Sequence, residues 1–254
     1  MRSLTFTALQ GIPEIEPGMA LDGVLAEALA RNEIKLLDRD VLVLCQKIVS
    51  KAENRYVDLR TVEPGERALE LAAKCYKDPR FVELVLREST SVIRCVKDVL
   101  IVRHRLGFVV ANAAIDQSNI PGAEHRALLL PLDPDASAER LRRSLHERFG
   151  VNVAVLVSDS FGRPWRLGVC GTCIGCAGLK PLLDMRGKHD RFGRTLKVTQ
   201  IAAADEIVAG ATFVMGEADE GRPVVVVSGV PEPYFSEPQS ARALIRPGEQ
   251  DLFT

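Results

Sequence analysis

Hydrophobic and polar positions recur along the chain with two different periods, and the switches between them mark out the elements. Residues 4–9 alternate and predict a strand; Gly11, Pro13, Pro17 and Gly18 then predict a loop. Leu21, Val24, Leu25, Ala28 and Leu29 fall at helical spacing. Val41–Cys45 is an apolar run of buried-strand length, and a polar, basic segment follows over 46–51. A helical stretch is expected from Thr61, with Pro64 near its first turn, and a second helix over 80–87. Residues 91–95, 99–103 and 108–114 read as strands, with 105–107 as a turn, and 116–126 is loop-like. A further strand is predicted over 128–132. Asp135 or Ser137 then caps a helix that runs to Phe149 and stops at Gly150, before a strand over 151–157. Between 159 and 193 glycines interrupt every period, and no element is assigned. The pattern resumes with a strand over 196–200, a helix over 203–216 and a buried strand over Val224–Ser228; the proline-rich tail from Pro231 is expected to cover the surface.

Strands and helices alternate irregularly, with hairpins in the middle. That order predicts an α+β fold with mixed and antiparallel sheets and packed helices, rather than a doubly wound parallel sheet. At 254 residues the chain suits one large unit or two small ones. Its balance of 46% hydrophobic and 26% charged residues excludes a disordered, collagen-like or coiled-coil chain. Lys and Arg number 33 against 34 acids, and aromatics are 5%, so neither charge nor stacking surface argues for a nucleic-acid partner. No apolar run approaches the ~18 residues of a membrane span, and the first residues lack the unbroken apolar core of an export signal. The expectation is a cytoplasmic protein with six reduced cysteines and no membrane partner. Dinucleotide and P-loop glycine fingerprints are absent.

Four segments carry candidate chemistry. In Asn112–Asn119 an apolar stretch ends in Asp116, a placement that suits a hard cation or, alternatively, a self-capping turn. In 157–166 a buried strand ends in Asp159 and Ser160, followed by Arg163 and Arg166 around the single Trp165. Paired oxygens suit a cation there, and guanidinium forks suit phosphates or carboxylates. Met215–Arg222 gathers Glu217, Asp219 and Glu220 at a predicted helix end, where acids oppose the helix dipole unless a cation compensates them. Gln46, Lys47 and Lys51 follow a strand and suit a phosphate chain, or a solvated edge. Together they point to a nucleotide with divalent ions, because phosphoryl transfer needs mainly positioning and charge neutralisation.

The segments GIPEI, QKIVSKAEN, GFVVANAAIDQSN, VSDSFGRPWR and MGEADEG, in this order over about residues 5–230, resemble the coenzyme F420-0:L-glutamate ligase family. The resemblance implies a two-domain α+β fold, intertwined homodimers, and a GTP-dependent amide ligase. Such an enzyme joins L-glutamate to the carboxylate of the deazaflavin precursor F420-0 through an acyl phosphate, and adds further gamma-linked glutamates. It further implies two divalent ions, Mg2+ or Mn2+, held by Asp116, Asp159, Ser160 and Glu217. Asp116, Asp159, Arg163 and Arg166 would then be catalytic. Nucleotide contacts would come from Gly11, Ile12, Pro13, Glu14, Gln46, Lys47, Lys51, Asn119, Met215, Gly216, Ala218, Asp219, Glu220, Gly221 and Arg222. The chain departs from the family pattern at Val169-Cys170-Gly171, where that pattern carries Gln-Thr-Asp. This leaves open a ligase for a different carboxylate, or a cysteine-rich metal or redox paralogue without catalysis.

The same departure creates Cys170, Cys173 and Cys176 at CxxCxxC spacing. An iron–sulfur or zinc site is weighed against simple packing of small thiols, and packing is the expectation because no second CxxC completes a ligand set. His104, His125, His146 and His189 show no paired spacing and receive no catalytic role, with His146 expected to be exposed. Glu88 is read as a helix-end salt-bridge partner.

Overall fold

The structure, a computed structural model, describes residues 3–235 and 237–251. Residues 1–2 of the opening segment, and 236 and 252–254 of the tail, lie outside it. In chain order the first half contains β1 (Thr5–Ala8), α1 (Leu21–Arg31), β2 (Val41–Cys45), α2 (Gln46–Ala52), β3 (Tyr56–Asp58), α3 (Glu66–Cys75), α4 (Pro79–Arg87), β4 (Ser89–Val96), β5 (Val99–His104) and β6 (Val109–Ala111). The second half contains β7 (Arg126–Leu128), α5 (Pro134–Phe149), β8 (Ala154–Arg163), β9 (Arg166–Ala177), β10 (Leu183–Asp184), β11 (Gln200–Ile201), α6 (Ala203–Met215) and β12 (Val224–Ser228). The fold is α+β, as the irregular element order predicts.

The main sheet runs β1-β12-β2-β8-β9. Only its β2–β8 pair is parallel; the other three pairings are antiparallel. Its three central strands are apolar runs because both of their faces are covered. Leu42, Leu44, Val155, Val157, Val224 and Val226 point into one core with α1 and α5. Their alternating neighbours Val41, Val43, Ala154, Leu156, Val225 and Val227 point into a second core with α6. Strand side chains alternate faces, so a continuous apolar run fills both layers at once. A third core, built by α3, α4, β5 and neighbouring loops around Leu71, Val82, Leu100, Val102 and Ala127, holds together much of the stretch between residues 59 and 129.

Several expectations shift in register. Asp133, not Asp135 or Ser137, caps α5 by accepting from the Ala136 N–H at 3.0 Å, and Gly150 ends the helix with φ of 68°. Asp135 is spent elsewhere: its carboxylate accepts from the Cys176 and Ala241 N–H groups and from the Ser240 hydroxyl. The tail is therefore pinned across the surface, with Ala241 buried. The segment at Thr61 closes a short 3₁₀ turn, and α3 starts only at Glu66. The strand expected over 128–132 is Arg126–Leu128, and that over 196–200 pairs only at Gln200–Ile201.

Two differences matter for the site. The basic segment after β2 is the helix α2, whose Ile48 and Val49 pack into the first core and whose Ser50 hydroxyl donates to Gln46 Oε1 at 2.8 Å. The unassigned glycine-rich stretch is, over its first half, the long β8–β9 hairpin. Its Gly171 and Gly175 are glycine because Thr212 and the Pro134 backbone fill the places a Cβ would take. Val157 pairs with Gly175, but Ser158 pairs with Cys173, so Ile174 is an extra residue and β9 bulges at this level. Among the described residues no helix is long and apolar enough to cross a membrane.

Candidate active site

The ends of the two parallel strands open onto a cleft of about 800 Å³. Crevices outside the carboxyl ends of parallel strands are favoured binding places, because loops diverge there and leave backbone groups free. β8 delivers Asp159 and Ser160 to the cleft as a direct continuation of its buried Val155 and Val157, just beyond the β9 bulge that faces Val157 and Ser158. α2 delivers Lys47 and Lys51, one turn apart on one face. The loop after α6 delivers Glu217 and its neighbours.

Asp116 arrives by a different device. The strand expected over 108–114 stops at Ala111, and Asn112, Ala113 and Ala114 all take left-handed φ, near +53°. Each such residue costs about 1–2 kcal/mol because its Cβ crowds the carbonyl. Asp116 is then clamped to Leu128 by two backbone hydrogen bonds, of 2.8 and 3.0 Å. The turn and the clamp together aim the Asp116 carboxylate into the cleft. It takes a 2.7 Å ion pair from Lys47 Nζ and a 2.6 Å hydrogen bond from the Ser118 N–H.

The electrostatics follow from this crowding. Burial pushes the Asp159 carboxyl up to about 7; the Ser160 N–H and Lys47 oppose this, and the nearby Asp116 and Glu217 charges add to it. Burial acts the same way on Asp116, but there the Lys47 and Ser118 hydrogen bonds outweigh it and hold the group below its ordinary value. Lys47 in turn is raised: burial works against its charge, and its contact with Asp116 prevails. The Ser160 hydroxyl donates to Glu217 Oε1 at 2.6 Å, and the Asn119 amide donates to the Ala218 carbonyl at 3.1 Å, so both loops are tied across the opening.

Asp116, Asp159, Ser160 and Glu217 thus line one cleft, together with Ile12, Pro13, Glu14, Lys47, Lys51, Asn119, Met215, Gly216, Ala218, Asp219, Glu220, Gly221 and Arg222. The remaining four candidates stand elsewhere. Gly11 lies just outside, its carbonyl accepting from Arg31. Gln46 is buried in the first turn of α2, where its Oε1 accepts from the Ser50 hydroxyl. Arg163 and Arg166 face each other at the far, exposed end of the hairpin, where Arg163 donates to the Leu167 carbonyl. Ser158 and Val169 also line the cleft, as do Thr212, Ile120 and Pro121, which belong to none of the quoted segments; Thr212 is a lone hydroxyl in the apolar last turn of α6.

Among the described residues no three His, Cys, Asp or Glu side chains are arranged to grip one ion; Lys47 pairs with Asp116, and the Ser160 hydroxyl donates to Glu217. The donor chemistry still fits one. The candidate donors are all oxygens, Asp116, Asp159 and Glu217 share one cleft, and the Asp159 carboxyl is held near 7 by burial and like charge. A hard divalent cation is the group such a set lacks.

Outside the cleft, Cys173 and Cys176 pack in the second core, their thiols donating to the Gly175 and Leu179 carbonyls. Burial pushes the Cys176 thiol up to about 12 and Cys173 well above its ordinary value. Glu88 caps α4 and bridges Arg55 and Arg105; burial would raise it, but His104 and the two arginines hold it at about 2. His146 is exposed.

A family model described as F420-0:Gamma-glutamyl ligase matches residues 11–229. Among curated proteins, the chain is 40% identical over 250 residues to the coenzyme F420:L-glutamate ligase of Methanothermobacter thermautotrophicus, spanning 98% of each chain. It is 43% identical over 242 residues to the ligase of that name from Methanopyrus kandleri, spanning 94% of this chain and 93% of that one. The protein of the same name from Archaeoglobus fulgidus is 43% identical over 222 residues, 87% of this chain and 86% of its own.

Proposed function

The chain belongs to the F420-0:gamma-glutamyl ligase family, and on that premise we propose that it is a cytoplasmic, GTP-dependent ligase that joins L-glutamate to the carboxylate of the deazaflavin precursor F420-0 and extends it with gamma-linked glutamates. The observation that carries this reading is the convergence of Asp116, Asp159 and Glu217 with Lys47 and Lys51 in one cleft. In this reading Asp116, Asp159, Ser160 and Glu217 hold two divalent ions, Mg2+ or Mn2+, which neutralise phosphate charge when bound. Lys47 and Lys51 face the phosphate chain. Ile12–Glu14, Asn119 and the loop 215–222 wall in the nucleotide.

The reaction balances in two steps. A carboxylate oxygen of the acceptor takes the γ-phosphoryl group, and GDP leaves. The glutamate nitrogen then attacks the acyl carbon; phosphate leaves, and the nitrogen gives up a proton. The site's part is to hold three anionic reactants together in a place where their charges are compensated.

The test is incubation of the protein with GTP, Mn2+ or Mg2+, L-glutamate and F420-0, read by mass spectrometry. Adducts one or more glutamyl units heavier than F420-0 are expected. GTP hydrolysis without any such adduct would point instead to another carboxylate acceptor, a reading that the apolar Val169 on the cleft wall favours.

We also propose a homodimer. Trp165 and Leu167 at the hairpin end, and Phe192, Val198 and Phe213, are 84–98% exposed, more large apolar surface than a lone chain usually leaves in water. Sedimentation equilibrium is expected to give twice the 27.8 kDa chain mass.

A further inference from the structure

Away from the cleft, two other cysteines meet. Cys75 is the last residue of α3, and Cys95 lies in β4. Cys75 is buried in the third core, and Cys95 packs against that core half-buried. The Cys95 thiol donates to the Leu71 carbonyl at 3.6 Å. Leu71 stands one turn before Cys75, and its carbonyl is the one that the Cys75 N–H reaches within the helix. The Cys95 sulfur is thus seated beside the Cys75 backbone. Three residues on, the Asp98 N–H donates to the Cys75 carbonyl at 3.1 Å, so the turn after β4 is tied to the same helix end. The Cys75 thiol in turn donates to the Cys95 sulfur.

Two thiols in contact become a disulfide by losing two electrons and two protons, and the reaction balances with a low-molecular-weight disulfide as oxidant. Cys95, which has access to solvent, loses its proton and attacks one sulfur of the oxidant; the other sulfur leaves and takes up a proton. Cys75 then loses its proton and attacks the Cys95 sulfur of the mixed disulfide, and the second half of the oxidant leaves as a thiol. Both protein sulfurs are oxidised, and the oxidant is reduced to two thiols. Burial sets this order: it encloses Cys75 and pushes its thiol up, with the neighbouring Cys95 adding to the shift, so Cys75 resolves rather than starts. The bond closes a loop over 75–95 that contains all of α4. It fastens α3 to β4 within the core that also buries Ala113, of the turn before Asp116.

We propose that Cys75 and Cys95 form an oxidative modification site, a thiol pair that closes to a reversible disulfide and clamps the third core. The test is incubation of the folded full chain with oxidised glutathione, alkylation of the remaining thiols, and tryptic mapping without reduction. Cleavage after Lys74, Lys77, Arg94 and Lys97 releases each cysteine in a three-residue peptide. The two are expected as one linked pair that dithiothreitol separates. The melting temperature is expected to rise by about 6–12 °C on oxidation, the effect of a loop of this length in a chain of this size, and to fall back on reduction. Cys95→Ser is expected to show neither change; should it fail to fold, the wild-type peptide map decides. Glutathione retained on Cys95, a link through any other cysteine, or both peptides alkylated would overturn the proposal. So would a linked pair that leaves the melting temperature where it was.

Discussion

Asp159→Asn is expected to melt higher than the wild type at pH 8 in the presence of a chelator, and the same variant is expected to lose ligation by at least about 1,000-fold. Both effects come from one carboxyl, held near 7 by burial and by its acidic neighbours. In the unfolded chain it titrates near 4, so below that pH both states carry the proton and the variant gains nothing. Between about 4 and 7 the unfolded chain gives up its proton while the folded one keeps it, and wild-type stability falls through this window; above 7 the full cost is present. A wholly dry carboxyl shifted this far would cost about 4 kcal/mol, and its partial exposure reduces that to about 2, or roughly 4–8 °C in melting temperature. Asparagine keeps the shape and the acceptor for the Ser160 N–H without the charge. Melting curves of both proteins at pH 4 and pH 8 check the sign. Equal curves at pH 8, or near-normal turnover of the variant, would remove Asp159 from the charge-crowded centre of the cleft.

Gly175→Ala is expected to destabilise the protein by about 3 kcal/mol, roughly 6–12 °C in melting temperature. An added Cβ would stand 2.5 Å from the Pro134 carbonyl oxygen and 2.6 Å from its carbon. Neither is the mobile end of a side chain. Pro134 opens α5, and that turn is fixed by the Asp133 cap. The strand or the helix must move, and both belong to the first core. Gly162→Ala is the control: it lies in the same hairpin with nothing within 4 Å of the new methyl group, and should change stability by no more than about 0.5 kcal/mol. Equal unfolding midpoints for the two variants in urea would mean that β9 does not lie against α5 in this register.

The strongly patterned elements could be read from the sequence. α5 and α6 show sustained helical periodicity, and β2 and β12 are apolar because each is covered on both faces. Asp116, Asp159 and Glu217, far apart in the chain, could be grouped because each interrupts or follows an apolar run with an acid. The hairpin could not be read, since a glycine in a sequence does not reveal whether it bends the chain or, as at Gly171 and Gly175, makes room for a neighbour. α2 has seven residues, too few to display a helical period. Arg163 and Arg166, which the structure places outside the cleft, illustrate a different limit. Nearness in sequence to Asp159 looks like nearness in space, yet a strand rises about 3.3 Å per residue, so four residues carry Arg163 about 13 Å away. On α2 the same separation of four residues brings Lys47 and Lys51 back to one face.

The additional residue in β9 accounts for the cysteine spacing. On an unbroken strand, side chains three positions apart point in opposite directions, so Cys173 and Cys176 would look out from different sides of the sheet. Ile174 and Gly175 instead turn consecutively toward the α5 side, and this brings both sulfurs into the layer beneath α6. A CxxC arrangement that resembles a ligand signature in one dimension is here the imprint of a local miscount between two paired strands, at the level where one of them hands Asp159 to the cleft.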